Sequence, residues 1–160
     1  MKLESVVHPE LALVLGPIEG AGGLSGRDAV LAAVAAKAAS HTPGIGSERL
    51  LAALLDREAT FPTGTPEGVA FPHALLAQIE RTFVVPTLVP GGVKWSSQPH
   101  GTQDLVFAIF GSSETPWEHV RLLARLARII KRAGAASRLR AAASAEELLS
   151  VLIEEDRSHG

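Results

Sequence analysis

Residues 105–110 have the sequence LVFAIF, which is apolar at every position. A strand with one face in solvent alternates apolar and polar side chains, whereas a strand covered on both faces is apolar throughout. This run therefore predicts a β-strand inside a sheet whose two faces are both covered by other elements.

The stretches before this run predict one strand and two helices. Residues 11–15 (LALVL) are a short apolar run bounded by a Gly-Pro pair, which indicates a first strand. Residues 28–40 are rich in alanine with valine and leucine at helical spacing, and Ser25 suits the first turn of that helix. Ser47 is expected at the N-cap of a second helix, SERLLAALLDRE, residues 47–58.

Residues 82–89 (TFVVPTLV) are β-branched and aromatic, as strands tend to be, but they include Pro86. Because proline cannot donate to a strand ladder, this run predicts an edge strand or a bulged strand. Gly91-Gly92 then predicts a turn into a short strand, VKW, and residues 98–103 predict another turn before the central run.

The region after the central run predicts helices. The sequence TPWE at residues 115–118 has the form of a capping box with proline at the first helical position. This helix is expected to run through about Arg132. One stripe along it is apolar and another is basic, and the basic stripe is expected to face solvent. The apolar stripe comprises Val120, Leu123, Leu126, Ala127 and Ile130, and the basic stripe Arg121, Arg125, Arg128 and Arg132. A second capping box, SAEE at residues 144–147, begins the last helix, and residues 156–160 are expected to fray.

The order of these elements predicts the fold class. A strand, two helices, several strands and then further helices indicate a layered α/β domain with a mostly buried central sheet. Strands that are separated by short turns favour some antiparallel pairing. A chain of 160 residues suits one domain, which we assign to residues 1–160.

Composition and charge exclude several classes of protein. A formal net charge of −2 provides no excess of cations for a nucleic-acid surface. The chain has no cysteine, which excludes disulfide scaffolds, thiolate metal sites and cysteine nucleophiles. No uncharged apolar stretch reaches the roughly 18 residues of a membrane span, and the N-terminal sequence lacks a secretory signal. We therefore expect a cytoplasmic protein.

A segment rich in glycine and proline, TGTPEGVAFPHA at residues 63–74, predicts a loop that ends near a histidine. Pro72 fixes its own φ, so the backbone can hold His73 in one orientation. Tight turns at the glycines expose amide groups that can form an anion-binding concavity. The candidate phosphate-binding residues of this loop are Thr63, Gly64, Thr65 and Gly68. Since a lone histidine is more often an ordinary solvated side chain, both interpretations stay open at this point.

Two further side chains fit an anion site. His119 lies in the first turn of a predicted helix, where the helix dipole favours anions and a neutral imidazole can still donate a hydrogen bond. Arg57 lies near the end of a helix, and its planar charged fork suits a phosphoryl group. Each residue also has a structural interpretation, because His119 can cover a helix start and Arg57 can complement the helix dipole. Trp95 and Trp117 are expected to be packing residues.

Four stretches form one pattern: LLDRE at residues 54–58, PTGTPEGVAFPHA at 62–74, DLVFAIF at 104–110 and EHVRLLARLARII at 118–130. Together they resemble the IIA components of the sugar phosphotransferase system (PTS), of the fructose/mannitol and nitrogen-regulatory type. The resemblance runs from the first strand to the last helix. It implies a three-layer α/β/α sandwich with a central mixed β-sheet.

The resemblance also implies a phosphoryl-carrier function. In the family, one histidine accepts a phosphoryl group from a histidine phosphocarrier protein, and His73 matches that residue. His119 matches the second histidine that lies beside it, and Arg57 matches the arginine that supports the site. The group then passes to a cysteine of a separate IIB partner or serves as a regulatory signal. No metal ion and no cofactor is implied.

Two alternatives remain open at this point. Pro66 and Glu67 depart from the usual loop of the family, since one removes an amide donor and the other adds negative charge. On the first alternative, the chain is a IIA-like regulatory binding module that has lost phosphotransfer. The second alternative is a metal hydrolase, whose candidate ligands are His73, His100, His119 and Asp104. This alternative has less support from the sequence, because no pair of these ligands has the spacing of a helical metal site.

Overall fold

The computed structural model of the chain describes residues 2–16, 25–96 and 101–158. Over these ranges the chain forms five strands, five α-helices and two 3-10 helices, the latter at Leu3–Ser5 and Pro9–Leu11. The strands are β1 (Leu13–Val14), β2 (Val69–Ala70), β3 (His73–Leu75), β4 (Phe83–Lys94) and β5 (Thr102–Gly111). The α-helices are α1 (Gly26–Ala39), α2 (Ser47–Thr60), α3 (Pro116–Ile130), α4 (Ala135–Arg140) and α5 (Ala145–Arg157). Within the same ranges, no helix has both the length and the apolar character to cross a membrane.

The strands form one mixed sheet in which β5 is an interior strand. β4 pairs with β5 in antiparallel fashion, from Phe83 opposite Phe110 to Lys94 opposite Thr102. The other pairings are parallel: β1 lies beside β4, while β2 and β3 follow one another along the opposite side of β5. The run LVFAIF therefore has neighbouring strands on both sides.

Helices cover both faces of this sheet, as predicted. One face packs against α3, α4 and α5, and its sheet residues include Val84, Leu88, Leu105, Phe107 and Ile109. The other packs against α1 and α2, and its sheet residues include Val85, Val89, Val106, Ala108 and Phe110. Successive residues of β5 enter opposite cores because side chains alternate along a strand. The architecture is an α/β/α sandwich around a mixed sheet, which confirms the predicted fold class.

Pro86 lies in an interior strand, so the edge-strand alternative is wrong; the strand is bulged, as the other alternative predicts, but the bulge lies beyond Leu88 and not at Pro86. Val84 donates its amide to the carbonyl of Val6. Two strand positions beyond Pro86, the carbonyl of Leu88 accepts from the amide of Leu15. Alternate residues of β4 therefore direct their backbone polar groups away from β5, and Pro86 is one of them. Its missing N–H leaves the β4–β5 ladder intact.

The turn predicted at Gly91-Gly92 is instead a bulge within β4. The register with β5 shifts between Leu88 and Val93. The two glycines have φ values of 83° and 71°, in the region that other residues rarely adopt, and they let the strand continue past the shift. The predicted VKW strand is consequently the end of β4 and the residue after it. Residues 97–100, part of the second predicted turn, lie outside the described ranges.

The buried face of α3 differs from the predicted apolar stripe. Val120 is exposed, and the buried positions of the helix are Leu122, Leu126, Ile129 and Ile130. Trp117 is also exposed, so its predicted packing role is wrong, whereas Trp95 is buried as expected. The helix has apolar residues on more than one side. Packing on the sheet, which the helical period alone does not reveal, decides which of them face inward.

The basic stripe of α3 is only partly in solvent. Arg125 pairs with Asp156 and Arg132 with Glu155, and both acids are buried in α5. These pairs join α3 and the residues directly after it to α5 on one side of the sheet. The expectation of fraying from residue 156 onward is wrong for the first residues of that segment, because α5 extends through Arg157. Residues 159–160 lie outside the described ranges.

Side-chain caps form at two of the predicted helix starts. Ser25 and Ser144 accept hydrogen bonds from backbone amides and cap α1 and α5. Ser47 is the first residue of α2 rather than its N-cap. Thr115 makes no side-chain cap, and Glu118 accepts a hydrogen bond from a threonine before β4 instead of closing the predicted box.

Candidate functional site

His73 is the first residue of β3, in a segment that the sequence predicts as a loop. β2 and β3 both pair with β5, and Phe71 and Pro72 separate them. The carbonyl of Pro72 accepts the amide of Ile109 at 2.9 Å, which fixes the backbone directly before the histidine. Strands this short, among glycine and proline, have too few residues to show an alternating pattern.

Both ring nitrogens of His73 have partners. Nδ1 lies 3.2 Å from the carbonyl oxygen of Phe71, and Nε2 lies 2.9 Å from Nε of Arg57. A guanidinium only donates and a carbonyl only accepts, so Nδ1 carries the proton and Nε2 presents its lone pair. The two contacts therefore select the neutral tautomer in which the unprotonated nitrogen lies beside Arg57.

Arg57 is held at two points. It lies in the last turn of α2, where the helix dipole favours a cation. Its terminal nitrogen Nη1 donates to the carbonyl of Phe61 at 2.7 Å, while Nε donates to His73. The remaining N–H groups are available to an anion. Arg49, which sequence reasoning did not single out, lines the same open groove and adds a second guanidinium.

His119 stacks against His73. The ring centroids lie 4.5 Å apart, and the ring planes are inclined by 30°. His119 lies in the first turn of α3, and its Nδ1 lies 3.1 Å from the carbonyl oxygen of Pro116. Since a carbonyl only accepts, that nitrogen is the donor and Nε2 stays available for another group. Folding thus brings together Arg57, His73 and His119, which are far apart in the sequence.

The surroundings of His73 favour the neutral imidazole. Burial, the largest effect, lowers the pKa of His73 below its ordinary value of 6.5. The hydrogen bond to the carbonyl of Phe71 raises the pKa and partly offsets the burial. The proximity of His119 and then of Arg57 lowers the pKa of His73 further, because a charged His73 ring would be repelled by cationic groups beside it. A neutral ring keeps the Nε2 lone pair free for reaction.

We expect the His73 ring to titrate below pH 6.5. Because the pKa is lowered, the ring is uncharged at neutral pH and gains its second proton only in more acidic solution. In Arg57→Ala the midpoint should move upward, since a nearby positive charge and some burial are both lost. NMR titration of the ring carbon protons measures both midpoints, with Arg128→Ala as the unaffected control. A wild-type midpoint at or above 6.5 would contradict this description.

Glu58, next to Arg57, holds the segment that leads into β2. The side chain is 2% exposed, and its carboxylate accepts three hydrogen bonds. The donors are the amide of Thr63 at 3.1 Å, the hydroxyl of Thr63, and the indole N–H of Trp95 at 3.2 Å. These bonds compensate the carboxylate for its burial. Sequence reasoning assigned a role only to the arginine of this pair, because the contact with Trp95 spans distant parts of the chain.

Alanine in place of Glu58 is expected to destabilise the fold by about 2–4 kcal/mol, because it leaves buried donors without an acceptor. Urea denaturation of wild type and variant measures the difference. Glu154→Ala, an exposed glutamate of α5, is the matched control and should change the stability by less than about 0.5 kcal/mol. A loss below about 1 kcal/mol in Glu58→Ala would show that the carboxylate does not hold this segment.

Thr63 and Gly64 lie on the segment before β2. The carbonyl of Thr63 accepts the amide of Phe71, and Gly64 forms an isolated antiparallel bridge to β2. A Cβ on Gly64 would lie 2.8 Å from the side-chain nitrogen of the buried Gln103, so the close approach requires glycine. The two residues support the backbone of Phe71, whose carbonyl contacts His73.

Thr65 and Gly68 close a tight turn that leads directly into β2, at the end of β2 that is farther from His73. The amide of Gly68 donates to the carbonyl of Thr65 at 3.2 Å, and Pro66 occupies the second position, which its fixed φ suits. Pro66 and Glu67 are exposed. β2 pairs with β5 about four residues before β3 does, so this turn lies roughly 13 Å from His73 along the sheet. The structure does not bring Thr65 and Gly68 to the histidine pair.

The carboxylate of the metal-hydrolase alternative lies away from the histidine pair. Asp104 accepts two hydrogen bonds from Nε of Arg140, each 2.9 Å long, and its amide donates to the carbonyl of Gly68. It therefore belongs to the end of β5 that is remote from His73. His100, a further proposed ligand, lies outside the described ranges.

Comparison with known proteins identifies the family. Residues 23–155 match the family described as "Phosphoenolpyruvate-dependent sugar phosphotransferase system, EIIA 2". A similar curated protein is the nitrogen regulatory protein of Bradyrhizobium diazoefficiens, which is 30% identical over 152 residues, or 95% of each chain.

Two solved structures share the fold. The nitrogen regulatory protein IIA-Ntr from Neisseria meningitidis matches with a TM-score of 0.79 at 19% identity, over 92% of this chain and 97% of that one. The IIA mannitol enzyme of Escherichia coli, solved in complex with phosphorylated IIB mannitol, matches with a TM-score of 0.70 at 21% identity, over 89% and 94% of the chains. The structural matches show the fold and the sequence match shows the family. The chain belongs to the EIIA 2 family of the phosphoenolpyruvate-dependent sugar phosphotransferase system.

Proposed function

We propose that this protein is a phosphoryl carrier that accepts a phosphoryl group on Nε2 of His73 from the phosphohistidine of a histidine phosphocarrier protein. The observation that carries the proposal is the contact between Nε of Arg57 and Nε2 of His73. Together with the Phe71 contact at Nδ1, it leaves the nucleophilic lone pair on the nitrogen beside a fixed cation.

The transfer step is a displacement at phosphorus. Nε2 of His73 forms a new N–P bond, the N–P bond of the donor breaks, and its electron pair returns to the donor imidazole. Positive charge develops on the His73 ring as the bond forms. The carbonyl of Phe71 stabilises that charge through the Nδ1 proton. No proton has to leave His73 during this step, and Nδ1 keeps its own.

Charge on the phosphoryl oxygens has two partners in the site. Nε of Arg57 loses its acceptor when the lone pair of His73 binds phosphorus, so Nε and Nη2 can donate to the phosphoryl oxygens while Nη1 stays on the carbonyl of Phe61. His119 donates its Nδ1 proton to Pro116, so it can donate from Nε2 only as imidazolium. This differs from the neutral donor that the sequence indicates, because the contact with Pro116 selects the tautomer.

Two uses of the phosphorylated protein are compatible with this site. In the first, the group passes to a cysteine of a separate IIB partner, an interpretation supported by the complex of the E. coli mannitol enzymes. In the second, the phosphorylation state of His73 regulates binding to a target protein. The nitrogen regulatory protein among the relatives favours the second use.

The alternative of a binding module without phosphotransfer rests on Pro66 and Glu67. Both are exposed in a turn roughly 13 Å from His73 along the sheet, and Pro66 suits its turn position. Pro66 and Glu67 therefore take no part in the contacts of His73 with Arg57 and Phe71. This geometry favours the phosphoryl carrier over the binding module.

One experiment separates these functions. The protein is incubated with phosphoenolpyruvate, enzyme I and the phosphocarrier from its own source, and acid-labile phosphate is measured. Wild type should be labelled, and absence of label would overturn the carrier function. The labelled protein is then mixed with a candidate IIB protein. Loss of label to IIB supports transport, whereas retention of label together with altered target binding supports regulation.

Exposed apolar side chains beside the site suit a protein donor. In the described ranges the large exposed apolar residues are Phe61 at 69%, Trp117 at 57% and Val120 at 57%. The carbonyl of Phe61 contacts Arg57, and Trp117 and Val120 lie two positions before and one position after His119 in the sequence of α3. Exposed aromatic residues are typical centres of protein interfaces. We infer that the phosphocarrier docks on these three side chains.

Alanine in place of Trp117 is expected to raise the KM for the phosphocarrier about tenfold or more, because it removes a large exposed aromatic side chain from the proposed docking surface. The kcat should stay within about twofold, and thermal stability should not fall, since the side chain is exposed. Steady-state phosphorylation at varied carrier concentration measures both constants, and Ser150→Ala on the outer face of α5 is the control. An unchanged KM would exclude Trp117 from the docking surface.

A further inference from the structure

A second cluster of histidines lies outside the His73 site. His8 and Glu10 belong to the N-terminal segment, and His41 follows the end of α1. One ligand atom from each of the three side chains lies within 4.8 Å of the other two. The rings of His8 and His41 have centroids 4.2 Å apart. None of these residues takes part in the phosphoryl-transfer site.

The backbone holds the two histidines in place. His8 directly precedes the 3-10 helix Pro9–Leu11, and its carbonyl accepts the amide of Leu11 at 2.9 Å. The amide of His41 donates to the carbonyl of Ala38 at the end of α1, also at 2.9 Å. The His41 ring packs edge-on against Phe83, at a centroid distance of 4.8 Å. Two imidazoles are therefore presented to each other from different elements.

The charge environment suits a bound cation. Burial lowers the pKa of His8 first, and the proximity of His41 lowers it further, while Glu10 acts in the opposite direction. Neutral imidazole is the form that binds metal ions. Glu10 is exposed and brings one negative charge to the pair. Glu80 and Arg81, of opposite charge, line the cavity that His41 also lines.

We propose that His8, Glu10 and His41 bind a divalent transition-metal ion of the zinc class. Two imidazoles and one carboxylate form a donor set that holds zinc in open sites, with water in the remaining position. Bonds of about 2.1 Å place tetrahedral ligands roughly 3.4 Å apart, so ligand atoms that now lie within 4.8 Å of one another have to approach by up to about 1.4 Å. The exposed Glu10 side chain and the half-buried histidines can make that movement.

Such an ion would connect the N-terminal segment to the end of α1. The sequence alone did not point to a metal site at these three residues, because they come from two segments more than thirty positions apart. Binding of the ion would stabilise the folded chain relative to the unfolded one, because the three ligands are close together only after folding. The proposal is independent of phosphoryl transfer, since the two sites share no residue.

Titration calorimetry with Zn²⁺ on the full chain tests the proposal. We expect a single ion per chain to bind at this cluster and to raise the Tm of the wild type. Glu10→Gln should weaken zinc affinity about tenfold or more, and His8→Gln should reduce it further. Because Glu10 is exposed, its variant should fold normally, which its unliganded Tm checks.

The control is His73→Ala, which disrupts the other histidine pair and should leave zinc affinity unchanged. No binding to the wild type would overturn the proposal. Unchanged affinity in both Glu10→Gln and His8→Gln would also overturn it, as would loss of binding in His73→Ala alone. Phosphorylation of Glu10→Gln should equal that of wild type, so the outcome does not depend on the carrier function.

Discussion

Alanine in place of His73 is expected to abolish phosphoryl acceptance. Alanine has no nitrogen lone pair, so the new N–P bond cannot form. His119 cannot take over the role, because among the described contacts the guanidinium of Arg57 lies on Nε2 of His73 and not on His119. We therefore expect a complete loss rather than a slower reaction.

The measurement is transfer of labelled phosphate from phosphoenolpyruvate through enzyme I and the phosphocarrier. His8→Ala, which removes a half-buried histidine outside the site, is the matched control and should be labelled like the wild type. Circular dichroism should show that His73→Ala keeps its secondary structure, since the ring is only half-buried. Labelling of His73→Ala to the wild-type level would contradict the assignment.

Alanine in place of Arg57 is expected to slow phosphoryl transfer about 100- to 1000-fold, the range found when a fixed donor to developing negative charge is removed. The loss should lie in kcat, because Arg57 acts most strongly on the phosphoryl oxygens during transfer. Arg57→Lys should recover only part of the rate. An ammonium provides the charge but not the planar fork that bonds two oxygens at once.

Single-turnover phosphorylation measures these rates directly. Arg128→Ala, an exposed arginine of α3, is the matched control and should transfer at the wild-type rate. Urea denaturation separates catalysis from folding, because loss of the bond to Phe61 should cost only about 1 kcal/mol. A slowing of less than about tenfold in Arg57→Ala would contradict the proposed role.

Local sequence was sufficient for a layered α/β domain with a buried sheet because the decisive features are local, whereas the three-layer sandwich was implied by the family resemblance. The uniformly apolar LVFAIF needs no knowledge of its neighbours to indicate a strand covered on two faces. The serine caps at Ser25 and Ser144 are likewise local, since each bonds an amide three residues along the chain. Pro72 and His73 are adjacent, so the constraint on the histidine is visible in the sequence itself.

Contacts between distant residues account for what the sequence did not reveal. Gly91 and Gly92 form a bulge and not a turn because β4 keeps its pairing with β5 beyond them. Glu58 holds its loop through Trp95, and no pattern within either segment shows that bond. The proximity of His119 to His73 was expected only through a family resemblance, and the stacking of their rings was not expected at all, since β3 and α3 meet through tertiary packing.

The most direct test of the phosphoryl-carrier proposal is an NMR measurement on phosphorylated protein with ¹⁵N-labelled histidine. Coupling between phosphorus and ring nitrogen identifies the residue and the atom that hold the phosphoryl group. We predict phosphorus on Nε2 of His73, with the proton kept on Nδ1 beside the carbonyl of Phe71. Phosphorus on Nδ1 of His73, on His119, or on no histidine at all would contradict the proposal.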